Sequence, residues 1–207
     1  MFTHESTMQI SDRQLEIIEA SGKIITKHGL ANLTIKNLAS EMGFVESALY
    51  RHFKSKEDVI ILMIQYLHSN IKERLNQILA QDSKAEVQLK LVFKSQFSFL
   101  KANPHFVITM LSESFTDESP KIRLEVMQLV DYKFTLVQGL LERLLHDKSL
   151  NAQLNSFTLM HFLIGAFRTL LLRWKMSQFT FDVEIEGNKM VDDFLNLVIN
   201  FKNTTDD

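Results

Sequence analysis

Little in this chain can interrupt a helix, and that governs what it can fold into. Its 207 residues hold only six glycines and two prolines, and β-branched residues rarely alternate with polar ones, so the reading is an all-α protein. The interruptions fall where helices would start or stop. Ser11, with Gln14 three positions on, fits a capping box. Leu15, Ile18, Gly22 and Ile25 mark the buried face of a first helix, which Gly29 ends. Thr34 caps a second, in which Ile35, Leu38, Ala39 and Met42 repeat at helical spacing. Gly43 then sits where a helix C-terminus needs a residue tolerant of positive φ. A short third helix, about 45–53, turns Leu49 and Phe53 inward and leaves Glu46, Ser47, Tyr50, Arg51 and Lys54 facing outward.

Longer helices follow. Ser55, with Glu57 and Asp58 in the first turn, opens a fourth that reaches about Ala80, with Val59, Leu62, Met63, Tyr66, Leu67 and Ile71 on one side. A fifth covers about Lys84 to Lys101. Asn103-Pro104 and Ser119-Pro120 each set a capping side chain before a proline at the first helical position. The second of these opens a helix to about His146. Two more span about Asn151 to Met176 and Glu184 to Lys202. The segment 177–183 is irregular, with Thr180-Phe181-Asp182 a candidate for brief extension.

Helix, glycine turn and second helix is the arrangement that sets a recognition helix in the DNA major groove. Net charge is mildly against it: the chain is formally −2, where a nucleic-acid binder is expected to show a basic patch. Within residues 1–60, Arg13, Lys23, Lys27, Lys36, Arg51, Lys54 and Lys56 face eight acids. Arg51, His52, Lys54 and Lys56 nevertheless crowd together, and a local cluster matters more than the sum. The arm before Ser11 has no Lys or Arg, so no minor-groove contact is expected from it.

Other classes are poorly supplied. No apolar run is long enough to span a membrane, and the N-terminus lacks the basic start and apolar core of a signal peptide. Zero cysteines exclude disulfides and cysteine zinc sites. These points favour a cytoplasmic protein without a membrane partner. The seven histidines are scattered, with none paired at i, i+4, and no metal, nucleotide or nucleophile-elbow motif appears. Glu113, Asp117 and Glu118 read as a solvated loop, and His161 as a hydrogen-bonded core histidine. No enzyme, metal or cofactor is expected.

The run Ala48-Leu49-Tyr50-Arg51-His52-Phe53-Lys54-Ser55-Lys56-Glu57 resembles the L-Y-x-H-F-x-x-K-E signature of the tetracycline-repressor-like (TetR) transcriptional regulators. Leu33-Thr34-Ile35, Leu38-Ala39 and Gly43 match that family's upstream elements in order. The resemblance covers roughly residues 11–60. It implies an N-terminal three-helix helix-turn-helix DNA-binding domain, placed at 1–54, and a C-terminal helical bundle for ligand binding and dimerisation at 55–207. It implies that Tyr50, His52 and Lys56 hold phosphates and that Lys36 makes a phosphate or base contact. Ser47, Ala48 and Arg51 would lie nearest the base edges, where an arginine can pair bidentately with guanine. Thr34, Glu46 and Lys54 complete the expected DNA-facing set. Two departures stand out. Val45 replaces the Ser or Thr that often caps the family's recognition helix, and Glu46 brings a carboxylate towards DNA.

Thirteen of the 16 phenylalanines lie beyond residue 60. Such a bundle can close around an apolar cavity, or the rings can simply be core. TetR-like proteins commonly bind an effector there, and Phe97, Met110, Phe134 and Phe167 are the candidate lining. Arg168 and Arg173 lie in an otherwise apolar stretch. They would meet a ligand anion, or more simply face solvent or pair with an acid. The family's last two long helices usually form a four-helix dimer interface, with Leu163, Phe167, Leu170, Trp174, Met190, Phe194 and Leu197 as candidates; some of these must face the protomer's own core.

The expectation is therefore a ligand-responsive transcriptional regulator, a repressor, binding a palindromic double-stranded DNA operator as a homodimer and released by an apolar small-molecule effector. The alternative is a helical small-molecule or lipid-binding protein whose helix-turn-helix no longer binds DNA. A third reading is a DNA-bound adaptor that takes its signal from a protein partner.

Overall fold

A computed structural model describes residues 10–111, 119–147 and 155–200. Among them are nine α-helices and a 3-10 turn (Leu30–Asn32), with no strand, which makes the fold all-α. In chain order the helices are α1 (Asp12–His28), α2 (Ile35–Met42), α3 (Glu46–Tyr50), α4 (Lys56–Leu79), α5 (Ala85–Ala102), α6 (Pro104–Met110), α7 (Pro120–Asp147), α8 (Ser156–Met176) and α9 (Val183–Asn200). The expected loop acids Glu113, Asp117 and Glu118 lie outside the described residues, as do the far ends proposed for the last two helices.

The chain forms two compact units: residues 1–73 with 103–129, and residues 74–102 with 130–207. Within the first unit α6 packs on α1.

In the first unit the caps follow the local signals. Ser11 and Gln14 form the capping box, and Gly29 ends α1 at φ 78°. Ile17, Ile18, Ile24 and Ile25 are buried, while Leu15 is 38% exposed and is not part of that face. Gly22 instead faces His105 of α6, and a Cβ at Gly22 would lie 2.8 Å from the imidazole. That ring also lies 4.3 Å from Phe106, its Nε2 is buried without a partner, and burial pulls its pKa down to about 4. Asn103 occupies the N-cap of α6 but makes no side-chain cap bond there. Ser119 does cap α7, accepting from the Ile122 amide at 3.2 Å.

In the second unit α9 packs along α5. Phe97 is fully buried over Gly187, where a Cβ would come within 2.4 Å of the ring. Phe167 of α8 meets Phe97 at 5.2 Å and Phe93 at 5.6 Å between centroids. Trp174 is buried against Phe179 at 4.7 Å and donates to the Phe181 carbonyl at 2.9 Å. The turn between α8 and α9 passes through positive φ at Gln178 and Phe179. Thr180-Phe181-Asp182 forms no strand; Asp182 instead caps α9, accepting from the Glu184 and Ile185 amides at 3.0 and 3.2 Å. Lys90–Asp192 (2.9 Å) and Lys101–Asp182 (2.6 Å) tie α5 to α9 and its cap. Arg173 pairs with Glu186 within the protomer. No helix among the described residues is long and apolar enough to cross a membrane.

Candidate nucleic-acid interface

The reading head is built from short-range bonds. Thr34 caps α2 by accepting from the Asn37 amide at 3.1 Å. At the other end Gly43 is left-handed (φ 69°, ψ 30°). Its N–H reaches Ser40 O at 3.2 Å while the Phe44 N–H reaches Ala39 O at 2.8 Å, the paired bonds of a Schellman turn. Phe44 is then gripped from α1: the Arg13 guanidinium lies 3.9 Å from its ring centroid and pairs with Glu16 at 2.8 Å. Helix α3 is only Glu46–Tyr50, shorter than the sequence suggested, because Val45 offers no side-chain cap bond and Arg51 ends the helix. Leu49 and Phe53 anchor it, 0% and 6% exposed. The loop into α4 is closed by Asp58, which accepts from the Lys54 amide at 2.7 Å.

This scaffold presents one polar surface. Thr34, Lys36, Glu46, Ser47, Tyr50, Arg51, His52 and Lys54 are exposed, and Ala48 and Lys56 half-buried. None of Lys36, Arg51, Lys54 and Lys56 is ion-paired among the described residues. The nearby acids are already engaged: Glu16 with Arg13, Asp58 with the Lys54 amide, and Glu57 with Lys121 at 3.8 Å and with the Ser119 hydroxyl. Glu46, in the candidate DNA-binding set, and Glu41 on α2 keep exposed carboxylates. The acidic total thus conceals a local set of four unpaired cations available for phosphate, with Glu16, Asp58 and Glu57 engaged beside them and Glu41 and Glu46 left exposed. Sequence reasoning missed the Arg13–Phe44 clamp and the Ser119–Glu57 contact. Both join residues far apart in the chain, and no spacing rule announces them.

The other candidate residues separate. Phe97 and Phe167 are brought together, and Phe134 meets His161 at 5.9 Å. His161 is exposed on α8, with Nδ1 2.8 Å from the Phe157 carbonyl oxygen, and is not the core histidine expected. The Met110 side chain lies outside the described residues. Of the candidate interface set, Leu163, Leu170 and Trp174 are buried in the protomer's own core and are unavailable to a partner. Phe167 also packs inward, half-buried. Met190 and Phe194 are half-buried and Leu197 is 73% exposed; at i, i+4, i+7 they share one face of α9. The apolar face that α8 leaves open is Phe162, 66% exposed, with Gly165, Ala166 and Met176. The Arg173–Glu186 pair sits where the two faces adjoin.

Residues 17–63 match the family model described as bacterial regulatory proteins, tetR family. The chain is 25% identical over 121 residues to the nucleoid occlusion factor SlmA of Marinomonas sp. (strain MWYL1); the match covers 58% of this chain and 61% of that relative's length. Among solved structures, the fatty acid degradation regulator FadR from Bacillus halodurans superposes with a TM-score of 0.78 at 18% identity, over 94% of this chain and 98% of the other. FadR from Bacillus subtilis in complex with stearoyl-CoA gives 0.74 at 19%, over 90% and 97%. The matched segment holds the whole reading head from Phe44 to Lys56, so this part of the chain is similar to the bacterial regulatory proteins of the tetR family, and the all-helical fold is shared with the solved regulators.

Proposed function

We propose that this DNA-binding regulator is a cytoplasmic repressor that binds a palindromic operator on double-stranded DNA as a homodimer and is released by a small-molecule effector with an apolar body. The family is regulatory rather than catalytic. The observation that carries the reading is the set Lys36, Arg51, Lys54 and Lys56, exposed or half-buried around α2, α3 and the start of α4 with no acid paired to any of them among the described residues. Lys54, Lys56, Tyr50 and His52 hold phosphates and fix register, while Ser47, Ala48 and Arg51 address base edges. Dimerisation uses the open face of α8 and α9, centred on Phe162, Met190, Phe194 and Leu197. Residues 1–54 act as the reading head and 55–207 as the effector and dimer part. Effector binding favours a conformer in which two heads no longer match successive major grooves, spaced about 34 Å apart.

Selection of bound sequences from a random duplex library, at two salt concentrations, tests this. One palindromic motif should emerge, with affinity falling steeply as salt rises because phosphate contacts release counterions. No enrichment at either salt would favour a helical small-molecule binder whose head no longer reads DNA.

A further inference from the structure

Helix α3 is too short to set its own direction. It runs only from Glu46 to Tyr50, Val45 gives it no side-chain cap, and a helix of that length is not stable by itself. Its first turn closes through the Ala48 N–H on Val45 O at 3.0 Å. What aims it is therefore whatever grips its two ends. The exit is held from α4, where Asp58 accepts from the Lys54 amide at 2.7 Å. The entry is the Phe44-Val45 link that follows the Gly43 turn.

Phe44 is fixed through its backbone by the 2.8 Å bond to Ala39 O. Its side chain borders an open groove between α1 and α2, beside Ala20 and Met42, so core packing leaves the ring only half-buried. The Arg13 guanidinium of α1 lies over that ring, 3.9 Å from its centroid. Helix α1 packs on α2 and α2 on α3, and this contact adds a link from α1 to the residues that enter α3. Arg13 also differs from Lys36, Arg51, Lys54 and Lys56. Its charge is taken up by Glu16 at 2.8 Å and its planar face by the ring, which leaves it less to offer a phosphate.

We propose that Arg13 is a positioning residue for α3: it holds Phe44, and through Phe44 the angle at which α3 presents Ser47, Ala48 and Arg51, without itself touching DNA. This rests on the reading of α3 as the recognition helix and adds what aims it.

The full chain carrying Arg13→Met, Phe44→Leu or both tests this, by duplex titration at several salt concentrations and by amide hydrogen exchange. On the duplex recovered by selection, each single variant should bind about three- to fivefold more weakly, the scale of a partly exposed cation–π contact. The double variant should lie within about twofold of the worse single, because the two residues act as one unit. Arg13→Met should leave the slope of log affinity against log salt unchanged. In the absence of DNA, the Ala48 amide should exchange faster in both single variants, while the Ile24 and Ile25 amides of α1 keep their protection.

A slope reduced by about one would assign Arg13 to a phosphate. Losses that multiply in the double variant would separate it from Phe44. Unchanged exchange at Ala48, or unchanged affinity in both single variants, would show that α3 is not held this way. Each of these overturns the proposal and leaves the regulator reading standing. Faster exchange at Ala48 in a chain whose wild type recovers no duplex would uphold the hold of Arg13 on α3 and sink only the regulator.

Discussion

Charge is used in opposite ways at the two ends of this chain. Around α2 and α3 the cations are left open, while the flanking acids Asp58 and Glu16 are engaged locally, on the Lys54 amide and on Arg13. In the second unit Lys90, Lys101 and Arg173 are each tied across to α9 or its cap, on Asp192, Asp182 and Glu186. Exposed pairs of that kind contribute about 0–1 kcal/mol each, and their evident role is to set how α5, α8 and α9 align. Net charge cannot distinguish a spent charge from an available one.

The sharpest break of this contrast comes from packing. Phe97→Ala should destabilise the chain by about 3–5 kcal/mol, read as a lowered urea midpoint, because the ring is fully buried over Gly187 and under Phe167. A loss below about 1 kcal/mol would mean the aromatic cluster is not core.

Acid tests the buried imidazole in the first unit. His105 sits at about 4 against an ordinary 6.5 because burial disfavours its charged form. The unfolded chain therefore takes up the proton first, and stability is intact above pH 6.5 and declines as pH falls towards 4, by at most about 3 kcal/mol. His105→Gln should flatten that slope in urea melts at pH 7, 5.5 and 4.5; an unchanged slope would assign the acid sensitivity to other groups.

Arg51→Ala should cost about 1–3 kcal/mol of DNA affinity and relax preference at one base pair, with the urea midpoint unmoved, since Arg51 is exposed and has no ion-pair partner among the described residues. Unchanged affinity and preference would remove it from base readout. The smallest effect runs the other way. Val45→Ser supplies the absent cap of α3 and should stabilise it by about 0.5–1 kcal/mol, detectable as a slightly higher midpoint.

What was legible in the sequence was local. Ser11 with Gln14, Thr34, Gly43 and Ser119 act through bonds three to five residues long, and residue identity suffices to anticipate them. The exposure of the candidate DNA-binding residues followed for the same reason, since Leu49 and Phe53 fix which way so short a helix turns. Helical periodicity says that Leu163, Leu170 and Trp174 are covered, but not whether the cover is the protomer or a second copy. Asn103 had the right identity for a cap and makes no such bond. The packing of α6 on α1 and the Arg13 clamp both depend on which helices become neighbours in space.

The bare backbone at Gly22 gives a genetic handle. Because the imidazole of His105 occupies the room a methyl group would need, Gly22→Ala is a predicted loss-of-function allele whose suppressors should map more than eighty residues away. A smaller residue at 105 would restore the fit, and a selection for revertants would find α6 through α1 with no structure in hand.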